Sequence, residues 1–537
     1  MGEQTRPDSG VPLKEREYIM KKKTIQTVLA TLILMLISVP LTAICFAEEE
    51  PFVIPKGTKI IENEAFAGCT NVTSVTIPSG VTRIGNGAFN ECNKLTNIYF
   101  EGTAAQWEAV TIGEQNDPLL DAVINCEGSL YSIPITERHF PDDAFQKYVS
   151  DRFDKDSNGR LSSDERNAVD VINVTSMSLY ELKGLEYFTE LRELLCADNH
   201  LTDLNTSSNA KLEVLICGNS IMDGSPYGIA QGNDITDLDL SNNPLLKVLW
   251  CPHNKLRELD TSHNLELEEL GCFDNQIEAL ELSKNTKLQR LLTGANPLND
   301  IDVSKNTELW QLNCYNNGLT HLDLSNNGKI TFLWCNDNEL TALDVSSQTK
   351  LETLNCSGNQ ITELNLSNFT ALKQVQCGYN NLTELTVQNS SELFRLDCIA
   401  NRLSSLDTST NVKLTYLVCW NNQLRSMDLS ANISLVSVNL SANQNLSSLT
   451  LGNMQNLQEL RVQNTSLTSL DIKNCPVIQG VYQKGTRIEF NGDGTVAQNG
   501  MGSFYGYKLG NGLNPDSPQE INHCAFCFNK TVRITMD

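Results

Sequence analysis

Positive charge is what this sequence is short of. Its 40 basic residues stand against 65 acidic ones, a formal charge of −25 over 537 residues. Phosphate backbones demand a basic footprint, so nucleic acid is excluded as a partner. Attachment to an anionic membrane surface is excluded for the same reason. Histidine is scarce as well, with 6 residues in the whole chain. None sits in a recognisable triad, and neither H-E-x-x-H nor G-x-S-x-G occurs. Cys524 and Cys527 make a lone C-x-x-C, without the second ligand pair of a zinc site or the βαβ setting of a redox motif. No enzyme is expected.

Repetition is what the sequence has in abundance. From Cys251 to Leu440 a register of 21 residues runs without a slip: Cys251, Cys272, Thr293, Cys314, Cys335, Cys356, Cys377, Cys398, Cys419, Leu440. Three residues after each stands an asparagine, from Asn254 and Asn275 through Asn317 and Asn338 to Asn443. A stacked solenoid needs such regularity and a compact catalytic domain does not. One repeat reads Leu309-x-x-Leu312-x-Cys314-x-x-Asn317-x-Leu319-x-x-Leu322-Asp323-Leu324-Ser325-x-Asn327. Leu312 and Cys314 alternate inward on a short parallel strand. Asn317 is expected to satisfy backbone groups in the turn that follows, and Asp-Leu-Ser-x-Asn supplies turn-forming side chains on the convex side. Counting Cys196, Cys217 and Val462 as further strand centres gives 13 strands, a sheet roughly 58 Å long at about 4.8 Å per strand.

This unit resembles bacterial leucine-rich repeat proteins, including internalin-like adhesins. The resemblance implies an α/β-type repeat solenoid, mainly β: a horseshoe with parallel strands on its concave face. The array is expected over 191–480. Of the 17 cysteines, eight stand in the ten-member column. There cysteine behaves as a small buried hydrophobe. Neighbouring strands are close enough that distance alone does not exclude bridges, yet free buried thiols are expected.

The remaining segments differ. Residues 1–47 read as an upstream extension and a secretory signal peptide: Lys21, Lys22 and Lys23, an apolar run from Ile25 to Phe46, and a cleavage point after Ala47, with Met20 as the true start. Over 48–128 a 23-residue repeat returns Ile54-Pro55 as Ile77-Pro78, Ala65-Phe66 as Ala88-Phe89 and Cys69 as Cys92. It resembles the BspA-like leucine-rich repeat of bacterial surface proteins. Residues 129–190 lack repeats and are expected to form a helical cap with an EF-hand-like loop. Residues 219–234 carry a 13-residue insertion, either a binding loop or a neutral one. Residues 481–537 read as a β-rich C-terminal segment.

Two candidate sites emerge. Asp154, Asp156, Asn158, Gly159 and Glu165 fill the pattern D-x-[DN]-x-[DN]-G-x5-E, which predicts one structural calcium ion. Asp154, Asp156 and Asn158 would give side-chain oxygens, Arg160 its carbonyl, Ser162 a direct or water-mediated ligand, and Glu165 a bidentate carboxylate. The second candidate is the concave face. Positions −3, −1 and +1 from the cysteine column point outward and hold Trp250, Phe273, Tyr315, Phe332, Trp334, Tyr416 and Trp420, with Trp310 and Phe394 at the rim. Between the aromatic groups lie Thr353, Asn355, Ser357, Gln374 and Gln376. Rows of aromatics serve recognition, although aromatics are also good strand formers. The expected function is therefore an exported protein, secreted or at the cell surface, binding a protein or glycan on another cell or matrix. No membrane insertion is expected after signal cleavage. A polysaccharide-targeting module for an enzyme and a structural envelope protein are the alternatives.

Overall fold

A computed structural model describes residues 52–219, 232–462, 464–471, 474–475 and 533–535. The expected signal peptide, most of the 219–234 insertion, Cys524 and Cys527 lie outside these residues. So does the C-terminal segment, except Arg533–Thr535, which pairs parallel with Ser469–Asp471. No helix among the described residues is long and apolar enough to cross a membrane.

The chain forms two compact units, the first taking residues up to Thr136 together with Ser157–Ser163. In the first unit, strands Phe52–Val53, Ser74–Ile77, Asn97–Phe100 and Val123–Cys126 stack in parallel. Their alternate residues Val75, Ile77, Ile98 and Phe100 are buried with Phe89 and Ile84, and the Phe66 and Phe89 rings stack with centroids 5.1 Å apart. The sheet then reverses: Ser129–Pro134 runs antiparallel to Val123–Cys126, and Arg160–Ser162 antiparallel to Ser129–Pro134. The block 129–190, expected as one cap, is thus shared between the units. Backbone pairing draws its first strand and the middle of its loop into the first.

The second unit carries the helix Asp143–Phe153, whose N-terminus is capped by Asp142 accepting from the Ala144 and Phe145 amides. Phe145 and Val149 are its buried residues. A short helix, Ser163–Asn167, follows. The unit is dominated by a 14-stranded, wholly parallel sheet from Val171–Asn173 to Glu459–Arg461. It has one strand more than the cysteine column predicts. Val171–Asn173 pairs in register with Glu193–Leu195, so the block read as a cap already contains the first strand.

Each strand needs only three residues, because the repeat's core lies mostly beside it. In one repeat Leu309, Leu312, Cys314, Leu319 and Leu324 are at most 1% exposed. Each such leucine contributes roughly 1.5–3 kcal/mol of burial. The asparagines close the turns. The Asn338 amide donates to the Cys314 and Cys335 carbonyls at 2.9 and 3.1 Å. Its oxygen accepts the Asn317 and Leu319 amides, both at 3.0 Å. Each asparagine therefore satisfies its own turn and ties it to the preceding one. The residue just before it takes a left-handed backbone in repeat after repeat, for example Asp274, Ala295, Asn316, Asp337 and Ala400 at φ 49–56°. A second column runs along the opposite side of the coil: Asn264, Asn285, Asn306 and Asn327 donate to carbonyls 24 and 21 residues earlier.

The array's column cysteines are free and buried, as expected. Burial pushes the Cys217, Cys272, Cys314 and Cys356 thiols up to about 12. Thiolate is the reactive form, so the native protein at pH 8 should leave the array thiols unmodified by an aromatic disulfide reagent. Unfolding in denaturant should release them. Replacing Asn338 with Ala orphans the Cys314 carbonyl and the Asn317 and Leu319 amides together, while the Cys335 carbonyl keeps the Asn359 side chain as a donor at 3.0 Å. The expected loss in chemical denaturation is about 3 kcal/mol or more. Asn336→Ala, whose side chain hydrogen-bonds only Asp337 among the described residues, should stay within about 0.5 kcal/mol of the parent.

Candidate functional site

The outward face of the 14-stranded sheet is set by register. One column reads Phe332, Thr353, Gln374, Arg395, Tyr416, and two residues on, Trp334, Asn355, Gln376, Asp397, Val418. The intervening Leu333, Leu354, Val375, Leu396 and Leu417 are fully buried. Pleating therefore delivers both columns to the same side.

Seven of the nine expected aromatics are at least partly accessible, in two groups. Trp310 and Phe332 meet edge to face at 6.2 Å, and the Arg290 guanidinium lies 5.8 Å over the Trp310 ring. Tyr315 leans over Gly294, where a Cβ would come within 2.1 Å of its ring. Trp334 completes this group. Phe394, Tyr416 and Trp420 form the second, Tyr416 being 41% exposed. The strands at Thr353–Asn355 and Gln374–Gln376 separate the groups.

Trp250 and Phe273 are corrections. They are 0% and 1% exposed, so neither is available to a partner. Their stretch of the face is apolar, and they pack with Ala197, Ile216 and Leu292. The two rings meet edge to face at 5.7 Å. Trp250 settles onto Gly271, where a Cβ would lie 2.3 Å from its ring, and its indole N–H reaches Asn219 at 3.4 Å. Phe273 is covered by the His253 ring at 5.2 Å. The column neighbours Ile216, Gly271 and Leu292 carried the signal, since an apolar column with a glycine invites a ring to close down.

Arg395 was missed altogether. Among the strand arginines, Arg290 pairs with Glu269 at 2.5 Å and Arg461 pairs with Glu459. Arg395 has Gln374 and Tyr416 as its register neighbours and makes no ion pair among the described residues. Its Nε is buried without a hydrogen-bond partner there, as is the Trp334 Nε1. Asp397, on the same strand and face, accepts the Ile399 amide at 3.3 Å. Burial raises its carboxyl above the ordinary range, against the lowering pull of Arg395.

In the loop, the Asp154, Asp156 and Glu165 carboxylates bring one oxygen each to within 4.8 Å of one another. Asp154 ends the helix Asp143–Phe153, and Glu165 accepts the Lys155 amide at 2.7 Å. Three hard anionic oxygens at this spacing suit a calcium ion. Asn158, Arg160 and Ser162 lie on the segment that builds with the first unit. There the Asn158 side chain accepts the Arg160 amide at 2.8 Å, and Arg160 sends its guanidinium to Ser132 and the Leu120 and Ala122 carbonyls. Gly159 has φ +75°, the sharp turn that the motif's glycine predicts.

Comparison with known proteins places this architecture. The family of BspA-type leucine-rich repeat regions matches residues 44–111. No curated protein matches the chain. Among solved structures, the functional domain of InlJ from Listeria monocytogenes, which includes a cysteine ladder, is 29% identical, covering 63% of this chain and 82% of its own with a TM-score of 0.47. The internalin InlF from the same organism is 22% identical, covering 59% of this chain and 96% of its own at TM-score 0.50. A leucine-rich repeat protein of Leptospira interrogans is 18% identical over 56% of this chain and 92% of its own, at TM-score 0.44. With its 21-residue register, its parallel sheet and the fold it shares with InlF, the chain has the leucine-rich repeat fold.

Proposed function

We propose that the chain is an exported interaction protein that binds a protein or glycan on another cell or matrix. The binding surface is the outward face of its long sheet. The observation that supports this most is the partition of that face. Apolar residues at its start are packed away, whereas Trp310, Phe332, Trp334, Phe394, Tyr416 and Trp420 remain accessible on either side of a polar strip. A rigid sheet presents these groups at little ordering cost to a partner. Calcium is proposed beside this function, as a structural ion on Asp154, Asp156 and Glu165 that stiffens the segment leading into the first strand of the array.

Binding is tested with residues 48–537 against matrix proteins, mucins and arrayed glycans, beside a Trp334→Ala/Tyr416→Ala/Trp420→Ala variant whose fold is checked by circular dichroism. Loss of a hit in that variant supports the reading, and a hit that survives it moves the site off this face. Trp250→Ala should instead lower stability by about 3–5 kcal/mol and leave the affinity of the folded fraction unchanged.

Calcium at about 100 times its Kd stabilises a folded protein by about 2.7 kcal/mol. Chelation should therefore lower the melting temperature of this protein by several degrees, and Asp154→Ala should abolish the difference. Equal melting of the parent with and without calcium would remove the site.

A further inference from the structure

The strip between the two aromatic groups is built for a more specific ligand than the face as a whole. Three successive strands send outward Thr353, Asn355 and Ser357, then Gln374, Gln376 and Gly378, then Arg395, Asp397 and Ile399. Ile399 is the one apolar side chain in that set, and it lies against Gly378, where a Cβ would meet its Cγ1 at 2.7 Å. A protein partner is anchored by buried aromatic or aliphatic hot spots in pockets at the centre of its interface. The centre of this face has none. It has hydroxyls, side-chain amides, one guanidinium and one carboxyl, which is the donor and acceptor mixture that sugar hydroxyls match. Rings flank it on both sides, with Phe332 and Trp334 in the strand before Thr353–Asn355 and Tyr416 in the strand after Arg395–Asp397.

Charge narrows the ligand further. In a protein of net charge −25, the other strand arginines of this sheet, Arg290 and Arg461, are neutralised by a neighbouring glutamate. Arg395 is not, although register could have supplied a partner. It stands between Gln374 and Tyr416, and its Nε is buried and unpaired among the described residues. The Trp334 Nε1 is in the same condition, three strand steps away along the sheet, roughly 14 Å at strand spacing. A strip of amides with one unpaired guanidinium at its end fits an elongated ligand rich in acceptors, carrying an anionic group at the Arg395 end. Asp397, one of whose oxygens holds the Ile399 amide, adds an acceptor for sugar hydroxyls.

We infer that the strip Asn355–Gln376–Arg395–Asp397 is a subsite for an acidic glycan, with the carboxylate of the sugar on the Arg395 guanidinium and the neighbouring rings stacking on the sugar faces. Sialic acid and uronic acid both carry such a carboxylate, and the test separates them. The inference rests on the proposed binding role of this face.

The full chain is titrated calorimetrically with sialylated oligosaccharides, with uronic-acid oligosaccharides, and with each after reduction of its carboxyl to an alcohol. One carboxylated series should bind, and its reduced counterpart should bind roughly tenfold more weakly or worse. Arg395→Gln should produce a loss of the same size for the acidic sugar and little change for the reduced one. Arg395→Lys should recover part of the affinity, and Arg290→Gln should leave it unchanged. Equal binding of acidic and reduced sugars, indifference to Arg395→Gln, or no binding of either acidic series would each overturn the inference. A protein ligand that is lost in the Trp334/Tyr416/Trp420 variant but kept by Arg395→Gln overturns it too, while leaving the wider reading of the face intact. Ligands that survive both variants remove both.

Discussion

Everything in the array depends on one repeated hydrogen-bond device. A coil of 21 residues with only three in a strand leaves most of its backbone outside any ladder, and buried amides and carbonyls must be paired. The asparagine three residues after the cysteine does this with a single side chain, as at Asn338, which donates to the carbonyls of two consecutive turns and accepts amides of the preceding one. The left-handed residue that precedes it aims it inward. Because three of these four hydrogen bonds at Asn338 reach into the neighbouring coil, the device enforces identical shape from repeat to repeat. That identity keeps the register from slipping.

With shape fixed by the interior, the outward positions are free to vary, and the sheet uses that freedom unevenly. Ile216, Trp250, Phe273 and Leu292 close over themselves near the beginning of the sheet. Beyond Asn313 the same positions change to accessible rings and then to amides, Arg395 and Asp397. The first patch adds to the core. The second leaves an arginine without an ion pair among the described residues, at a cost in stability that packing does not ask for.

The period was legible because the positions of Cys251 and Asn254 recur every 21 residues for ten repeats, with Thr293 and Leu440 standing in for cysteine, and strand direction, burial of the thiols and the turn role of asparagine all follow from it. What escaped needed neighbours rather than types. Trp250 looks like any outward aromatic until Gly271 and Ile216 are placed beside it in register. Arg395 looks like any surface charge until its flanking positions prove to hold Gln374 and Tyr416 instead of a carboxylate. Ser129–Pro134 and Val171–Asn173 carry no repeat mark, so nothing in the sequence pattern announced that the first would pair backwards and the second would start the sheet. In the loop from Asp154 to Glu165 the sequence spacing does bring the three carboxylates of Asp154, Asp156 and Glu165 together.

The unbroken 21-residue register also makes the sheet a ruler. Trp334 and Tyr416 are held apart by whole strands, so the distance between the aromatic groups can take only multiples of about 4.8 Å. Gain or loss of one complete repeat would lengthen or shorten that span by one division while leaving every turn, cysteine and asparagine with an equivalent neighbour. A lineage carrying this scaffold can therefore adjust the length of ligand it spans in discrete steps, by duplication alone, without redesigning a single contact inside.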